Sequence, residues 1–291
     1  GFGGRSGLSG RLTMLKQRVI TAILLLLVLL PALFASASWP FAAFTLIFVS
    51  AGGWEWGRLN GAGSFASVAL ALLVAAVCAV SWAAGWTSAA PPVLWWFAMG
   101  LWVLGGAWAL QGGPAGWGRL TPAVRWALGL IVLWLAWLAM AGARSRGLNF
   151  ILSVFSVAWV SDIAAYFGGR AWGHRKLALS ISPGKSWEGV WSGMAGVLLV
   201  AGLWVLADRT WAVDSPSVYS RLLSSLGSLE MILVVVFLTA MGVVGDLTES
   251  LVKRHAGVKD SSGLLPGHGG VLDRADALLP LFPMALALSA L

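Results

Sequence analysis

Charge is what this sequence has least of. Asp, Glu, Lys and Arg make up 10% of its 291 residues, against about a quarter of an ordinary soluble domain. So few charges cannot solvate a globular surface, and a soluble globular fold is excluded. Disorder is excluded as well, because 59% of the chain is hydrophobic and disordered segments combine low hydrophobicity with high charge. Cysteine is nearly missing. Cys78 stands alone, so no internal disulfide forms, and its place in an apolar run reads as a buried thiol. Acid is scarcer than base, with 11 Asp and Glu against 19 Lys and Arg, a net charge of +8. In a membrane protein that excess belongs to loops facing anionic lipid, not to nucleic acid.

What the sequence does have is apolar runs of membrane-spanning length. A helix needs about 20 such residues to cross the hydrocarbon. About nine segments qualify: 18–36, 39–57, 65–84, 93–110, 124–141, 149–167, 187–207, 229–247 and 277–291. The expectation is an all-α polytopic membrane protein with no strands, since open sheet edges do not survive in lipid. The Gly/Ser/Arg-rich lead-in, 1–13, precedes Met14 and reads as an appended or disordered tail. Residues 14–148 then form a scaffold of transmembrane helices, and 149–291 a catalytic transmembrane region with cytoplasmic loops. With the N-terminus in the cytoplasm, only Arg144, Arg146, Arg209 and Arg221 of the 19 basic residues fall outside, as the positive-inside rule asks. Trp39, Trp54, Trp56, Trp86, Trp95 and Trp211 sit at expected span ends and read as an interfacial belt. The pairs Gly53/Gly57 and Gly189/Gly193 offer close helix approach.

The two halves differ in chemistry. Residues 18–141 hold a single carboxylate, Glu55. From residue 161 onward polar residues enter or border the helices, Asp162, Glu188, Asp246, Glu249, Asp260, Asp273 and Asp276 among them, and intramembrane ionisable groups are costly and functional by default. Asp246, Glu249/Ser250 and Lys253 share one face if the helix that begins near 229 continues. Two carboxylates and a cation at a membrane boundary suit a polyanion and a metal. The next stretch, from Lys259 and Asp260 through Gly263, Pro266, Gly267, His268, Gly269 and Gly270 to Asp273, Arg274 and Asp276, is a glycine-rich loop that frees backbone N–H groups for a close ligand. Oxygen donors without a Cys/His cluster point to Mg²⁺ rather than Zn²⁺. Ser182 reads as an N-cap and Pro183 as the first helical residue. That makes Lys185 and Ser186 part of a phosphate-binding helix start. Gly184-Lys185-Ser186 resembles a P-loop, but Leu179 stands where that loop requires Gly and no strand is expected before it, so the match is rejected. Asp162, one turn from Tyr166, is expected to face the bundle interior and pair with a Lys or Arg, a metal or a substrate group. His268 stands alone as a general base or, better, a loop-ordering or phosphate-contact residue.

These residues carry a resemblance. From Ser250 to Asp276 the chain resembles the signature of the phosphatidate cytidylyltransferases, also called CDP-diacylglycerol synthases. Ser250, Lys253, Arg254, Lys259, Asp260, Ser262, Leu265, Pro266, His268, Gly269, Gly270, Asp273, Arg274 and Asp276 fit it. Ala275 is smaller than the bulky residue usual there. Ser161-Asp162, Tyr166, Gly168-Gly169 and the stretch from Ser182 to Gly189 are also similar to that family. The resemblance implies an enzyme that makes CDP-diacylglycerol and pyrophosphate from CTP and phosphatidic acid with Mg²⁺, and in some members K⁺ as well. It implies about nine transmembrane helices, a homodimer, and a site open to the cytoplasm of a bacterial inner membrane. Asp246 and Asp273 become the metal-binding carboxylates. Asp276, Lys253 and His268 join them as catalytic residues. Asp162, Ser182, Lys185, Ser186, Arg254, Lys259, Asp260, Gly269, Gly270 and Arg274 would bind substrate. The attacking lipid phosphate is already ionised, so catalysis needs positioning and charge neutralisation rather than a strong base. A CTP-dependent polyprenol or phytol kinase, or a cytidylyltransferase for another lipid phosphate, would use the same devices. An ion transporter lined by Asp162 and Asp246 is a different class, but its broken midplane helices and inverted repeats are not what this clustering at one face resembles.

Overall fold

The computed structural model describes residues 4–291 and, within the first helix, the side chains of residue 17 and of 19 onward. The expected tail, 1–13, lies outside those side chains. The described chain is helical nearly throughout. In order come α1 (Gly4–Phe34), α2 (Trp39–Leu59), α3 (Ser64–Ala83) and α4 (Trp86–Ala89). Then come α5 (Val93–Gly100), a π turn at Leu101–Gly105, α6 (Gly106–Gly118), α7 (Pro122–Arg146) and α8 (Leu148–Trp172). After a short hairpin follow α9 (Trp187–Thr210), α10 (Val218–Leu226), α11 (Ser228–His255), α12 (Leu272–Ala275) and α13 (Leu278–Leu288).

Among the described residues, six stretches are long and apolar enough to cross a membrane: Ser64–Ala83, Val93–Gly118, Pro122–Arg146, Leu148–Trp172, Trp187–Thr210 and Ser228–His255. Three expected spans are helical but fall short of that measure. Within α1 the described apolar stretch is Val19–Phe34, α2 carries Glu55 and Arg58 near its end, and α13 has 11 residues. The fold is thus an all-α polytopic bundle, with one exception that corrects the strand-free expectation. β1 (Lys176–Ala178) and β2 (Ser182–Ser186) form an antiparallel pair, Lys176 opposite Ser186 and Ala178 opposite Ser182. Ser182 is therefore not an N-cap, nor Pro183 a first helical residue. Pro183 is tolerated because a two-stranded ladder leaves an outer edge that needs no N–H. The cap of α9 is Ser186, whose Oγ accepts the Gly189 N–H at 3.2 Å.

The glycine pairs do bring helices together. A Cβ on Gly57 would lie 3.1 Å from the Ser67 backbone, and one on Gly193 would lie 3.2 Å from the Ser161 carbonyl. Small residues thus seat α2 on α3 and α8 on α9. The tryptophans split. Trp39 and Trp211 are exposed, as an interfacial belt requires, whereas Trp56 and Trp95 are buried. Trp56 spends its indole N–H on the Arg125 carbonyl at 2.7 Å, so it is a helix tie rather than a belt residue. Cys78 is free and fully buried. The amphipathic α10, unmarked among the apolar runs, buries Val218, Tyr219 and Leu222.

The bundle has two polar ends. At one, Arg125 bonds His255 at 2.5 Å, and Trp117 donates to Asn60 at 2.9 Å. Thr21 of α1 donates to the Pro266 carbonyl at 3.0 Å. At the other, Arg144 caps α1 through the carbonyls of Leu33 and Ala35, and Arg146 reaches Ser289 at 2.7 Å. Asp214 accepts the first N–H groups of α8 from Leu148 and Asn149.

Candidate active site

At the first of these ends, α8, β2, α9, α11 and the start of α13 enclose a cavity of about 450 Å³. Its deep wall is apolar, with Val157, Ala158, Val243 and Leu281. Its mouth is polar, with Ser161, Asp162, Tyr166, Arg170, Lys185, Ser186 and Asp246. A chamber greasy at one end and charged at the other is shaped for an amphiphile.

The charged groups are laid out by helix periodicity. The α11 helix runs unbroken from the membrane segment through His255, so Asp246, Ser250 and Lys253 fall on one face as expected. Lys185 of β2 donates to Asp246 Oδ2. The other Asp246 oxygen accepts the Ser250 hydroxyl at 3.4 Å. Lys253 bridges Glu249 at 2.5 Å and Asp273 at 2.6 Å. Asp162 and Asp276 lie within electrostatic reach of Asp246 and Lys185. A Cβ on Gly245 would collide with the Asp276 carbonyl, which fixes how tightly α11 passes that turn.

The glycine-rich loop folds around Asp273. Its Oδ2 accepts the Ser261 N–H at 2.9 Å, the Ser261 hydroxyl at 2.9 Å and the Gly270 N–H at 2.8 Å. Burial pushes the Asp273 carboxyl up, but the Lys253 hydrogen bond and the Gly270 and Ser261 N–H groups outweigh it and hold the group below the ordinary carboxylate range. Burial, with the charge of Asp246 added, pushes Asp276 up to about 7. Gly269 sits at φ +87°, and a Cβ there would lie 2.8 Å from Asp273 Oδ2, so only glycine closes this turn without strain.

Some of the other expected ligand residues make contacts within the fold. Arg254 donates to the carbonyls of Ile181 at 3.1 Å and Val258 at 3.3 Å, bracing the hairpin against the end of α11. Arg274 donates to the His268 carbonyl at 3.1 and 2.5 Å. The His268 backbone N–H goes to the Leu265 carbonyl at 2.8 Å, and its Nδ1 is buried with no hydrogen-bond partner. Ser182 lies in β2 beside the cavity residue Gly184, while Lys259 and Asp260 are exposed on the loop. Glu188 anchors the hairpin from α9, with Arg175 Nε at 3.1 Å.

One residue was legible only as an oddity. Glu55, the lone carboxylate of the N-terminal half, is fully buried and accepts hydrogen bonds from the loop at Ser261, Ser262, Val271 and Leu272. Its signal was the scarcity of acid around it, since an ionisable group in a membrane helix needs a reason.

Among the described residues no group of three or more His, Cys, Asp and Glu forms a metal cage. The donors on offer are carboxylate and hydroxyl oxygens, with Asp246 paired to Lys185 and Asp273 to Lys253. That chemistry fits Mg²⁺, which is held by one or two carboxylates and completed by substrate phosphates and water.

Residues 16–291 match the cytidylyltransferase family. The chain is 40% identical over 281 residues to the phosphatidate cytidylyltransferase of Pseudomonas aeruginosa, covering 94% of this chain and 97% of that protein. It is 44% identical to the enzyme of that name from Haemophilus influenzae over 138 residues, 47% of this chain and 44% of that one. With the Bacillus subtilis enzyme the match is 39% over 145 residues, 50% of this chain and 49% of the other.

Proposed function

The chain belongs to the cytidylyltransferase family, and from that membership we infer that it transfers the cytidylyl group of CTP to phosphatidic acid, giving CDP-diacylglycerol and pyrophosphate. The observation that carries this reading is the end-to-end likeness to a phosphatidate cytidylyltransferase. The amphiphilic cavity supports it, because its apolar wall suits acyl chains and its mouth suits a phosphate.

The reaction is an in-line substitution. A lipid phosphate oxygen bonds to the α-phosphorus of CTP, the bond to the β-phosphate oxygen breaks, and pyrophosphate leaves with that electron pair. Both reactants are anions, so the protein's task is to hold them together and neutralise them. Asp246 and Asp273 would hold Mg²⁺, which when bound supplies charge neutralisation to the triphosphate. Lys185 and Lys253, beside those carboxylates, would offer point charges to phosphate oxygens. Arg170, exposed at the mouth beside the Tyr166 hydroxyl at 3.3 Å, is placed to meet the lipid phosphate. Gly269 and Gly270 let the loop backbone approach the nucleotide, Lys259 and Asp260 flank it, and Arg274 fixes its turn. Ser186 and the hairpin hold Lys185 in register. Asp162, at the cavity mouth, would attract any second cation, K⁺ included, and Asp276 lies within electrostatic reach of it. His268 orders the loop through its backbone.

Charge sets the orientation in this reading. All of these groups lie at the end that carries the hairpin and the glycine-rich loop, and Arg144, Arg146, Arg209 and Arg221 lie at the other. By the positive-inside rule the site then faces the cytoplasm, where CTP is. The same reading takes the protein as a multi-pass homodimer of a bacterial inner membrane. The test is product analysis with purified protein, Mg²⁺, CTP and phosphatidic acid. Equimolar CDP-diacylglycerol and pyrophosphate are expected. CDP with a newly phosphorylated lipid would make it a kinase.

A further inference from the structure

The glycine-rich loop is held from outside its own half of the chain. Glu55 Oε1 accepts the Ser262 hydroxyl at 2.5 Å and the Val271 N–H at 2.9 Å. Glu55 Oε2 accepts the Leu272 N–H at 2.8 Å and the Ser261 hydroxyl at 3.1 Å. The residue is fully buried, and no ion pair to it exists among the described residues. A buried carboxylate without a cation persists only where hydrogen bonds replace its hydration. Here the loop supplies them all.

The clamp reaches the proposed chemistry in one step. Ser261 stands between the two carboxylates and shares its one hydroxyl proton between them, 3.1 Å from Glu55 Oε2 and 2.9 Å from Asp273 Oδ2. Gly270 fills the remaining space. A Cβ there would collide with both the Ser261 hydroxyl oxygen and Glu55 Oε1. The α2 helix also packs under the start of α12, since a Cβ on Gly52 would lie 3.2 Å from Leu272.

We propose that Glu55 is a positioning residue for the transfer reaction: it fixes the loop 261–272 from the N-terminal helices and so sets where Asp273 stands. This rests on the assignment of Asp273 to the triphosphate site. Glu55 requires a carboxylate because every group facing it is a donor, and only an acceptor-only side chain meets them all. Glutamine keeps the shape but turns an NH₂ toward two of those donors. Displacing a reacting constellation by about 1 Å costs on the order of 10²-fold in rate.

The experiment uses the full chain in lipid nanodiscs, as wild type, Glu55→Gln and Ser262→Ala. It reads hydrogen exchange across 259–272 together with kcat and the KM for each substrate. In Glu55→Gln, exchange in that loop rises at least about tenfold, as one lost buried hydrogen bond implies, while α8 and α9 keep their protection. The kcat falls about 10²-fold, and the KM for phosphatidic acid stays within about twofold. Ser262→Ala moves both readouts the same way by less. It leaves Glu55 its bonds to Ser261, Val271 and Leu272, so it carries the test if Glu55→Gln does not fold. Unchanged loop exchange with unchanged kcat overturns the proposal. So does a general loss of protection with normal kcat per folded molecule, the mark of a merely structural residue. Loop exchange is read without substrate, so a different reaction would leave that result standing and alter only the kinetic one.

Discussion

Replacing Asp273 by Asn separates the two tasks this carboxylate performs. In the wild type, one oxygen accepts Lys253 at 2.6 Å and the other accepts Ser261 and Gly270 of the loop. Asparagine offers one acceptor oxygen and one NH₂ donor. The oxygen will face the loop donors, where the penalty for a mismatch is larger. The NH₂ then faces the Lys253 ammonium, and one charge-assisted bond is lost, worth about 1.5–3 kcal/mol. Glu249 still holds Lys253 at 2.5 Å, so the ammonium is not stranded and the loss belongs near the lower figure. For a chain of this size that is a fall in Tm of a few degrees, about 2–4 °C per kcal/mol. Turnover should fall much further, by at least about 10²-fold, as for the loss of one group stabilising transition-state charge. The assay pairs thermal unfolding followed by tryptophan fluorescence with CDP-diacylglycerol formation from labelled CTP. An Asn variant that turns over within about twofold of wild type would refute the reasoning and leave Asp273 as a loop brace alone.

Other outcomes follow from single contacts. Lys185→Met, which removes the ammonium from Asp246 and from the mouth of the cavity, should lower kcat about 10²-fold, read in the same product assay at saturating CTP. Gly57→Leu, which would drive a side chain into the Ser67 backbone 3.1 Å away, should destabilise the bundle by about 1–3 kcal/mol, read as a lower Tm. Asp214→Ala, at the far end, removes the cap on α8. It should cost about 1 kcal/mol while kcat stays close to that of wild type.

The bundle was legible because its cause is simple. Apolar runs and glycines four apart fix where helices lie and which approach closely, and both can be counted along a chain. The continuation of α11 past the membrane boundary was legible for the same reason, since Asp246, Ser250 and Lys253 keep helical spacing. The hairpin was not. Ser182-Pro183 and Ser186-Trp187 both satisfy the rules for a helix start, and choosing between them depends on Glu188 gripping Arg175 and on Lys176 facing Ser186. These are contacts across a turn, which local preference does not contain. Arg254 and Arg274 suit phosphate as cations beside a glycine-rich loop, but their contacts within the fold are not legible in sequence. The carbonyls they bind, Ile181 and His268, become neighbours only once the loop has folded. Glu55 was visible as the only acid among the N-terminal helices, but its partners Ser261 and Ser262 lie 206 and 207 positions away.

The central claim is that Asp246 and Asp273 hold a divalent ion against the nucleotide's phosphates at one end of the bundle. Electron paramagnetic resonance with Mn²⁺ and a non-reacting CTP analogue tests it most directly. The account predicts one tightly bound Mn²⁺ with coupling to phosphorus in the wild type, lost in Asp246→Asn and in Asp273→Asn while the helical signal and Tm show a folded protein. Equal Mn²⁺ affinity and phosphorus coupling in all three proteins would contradict it.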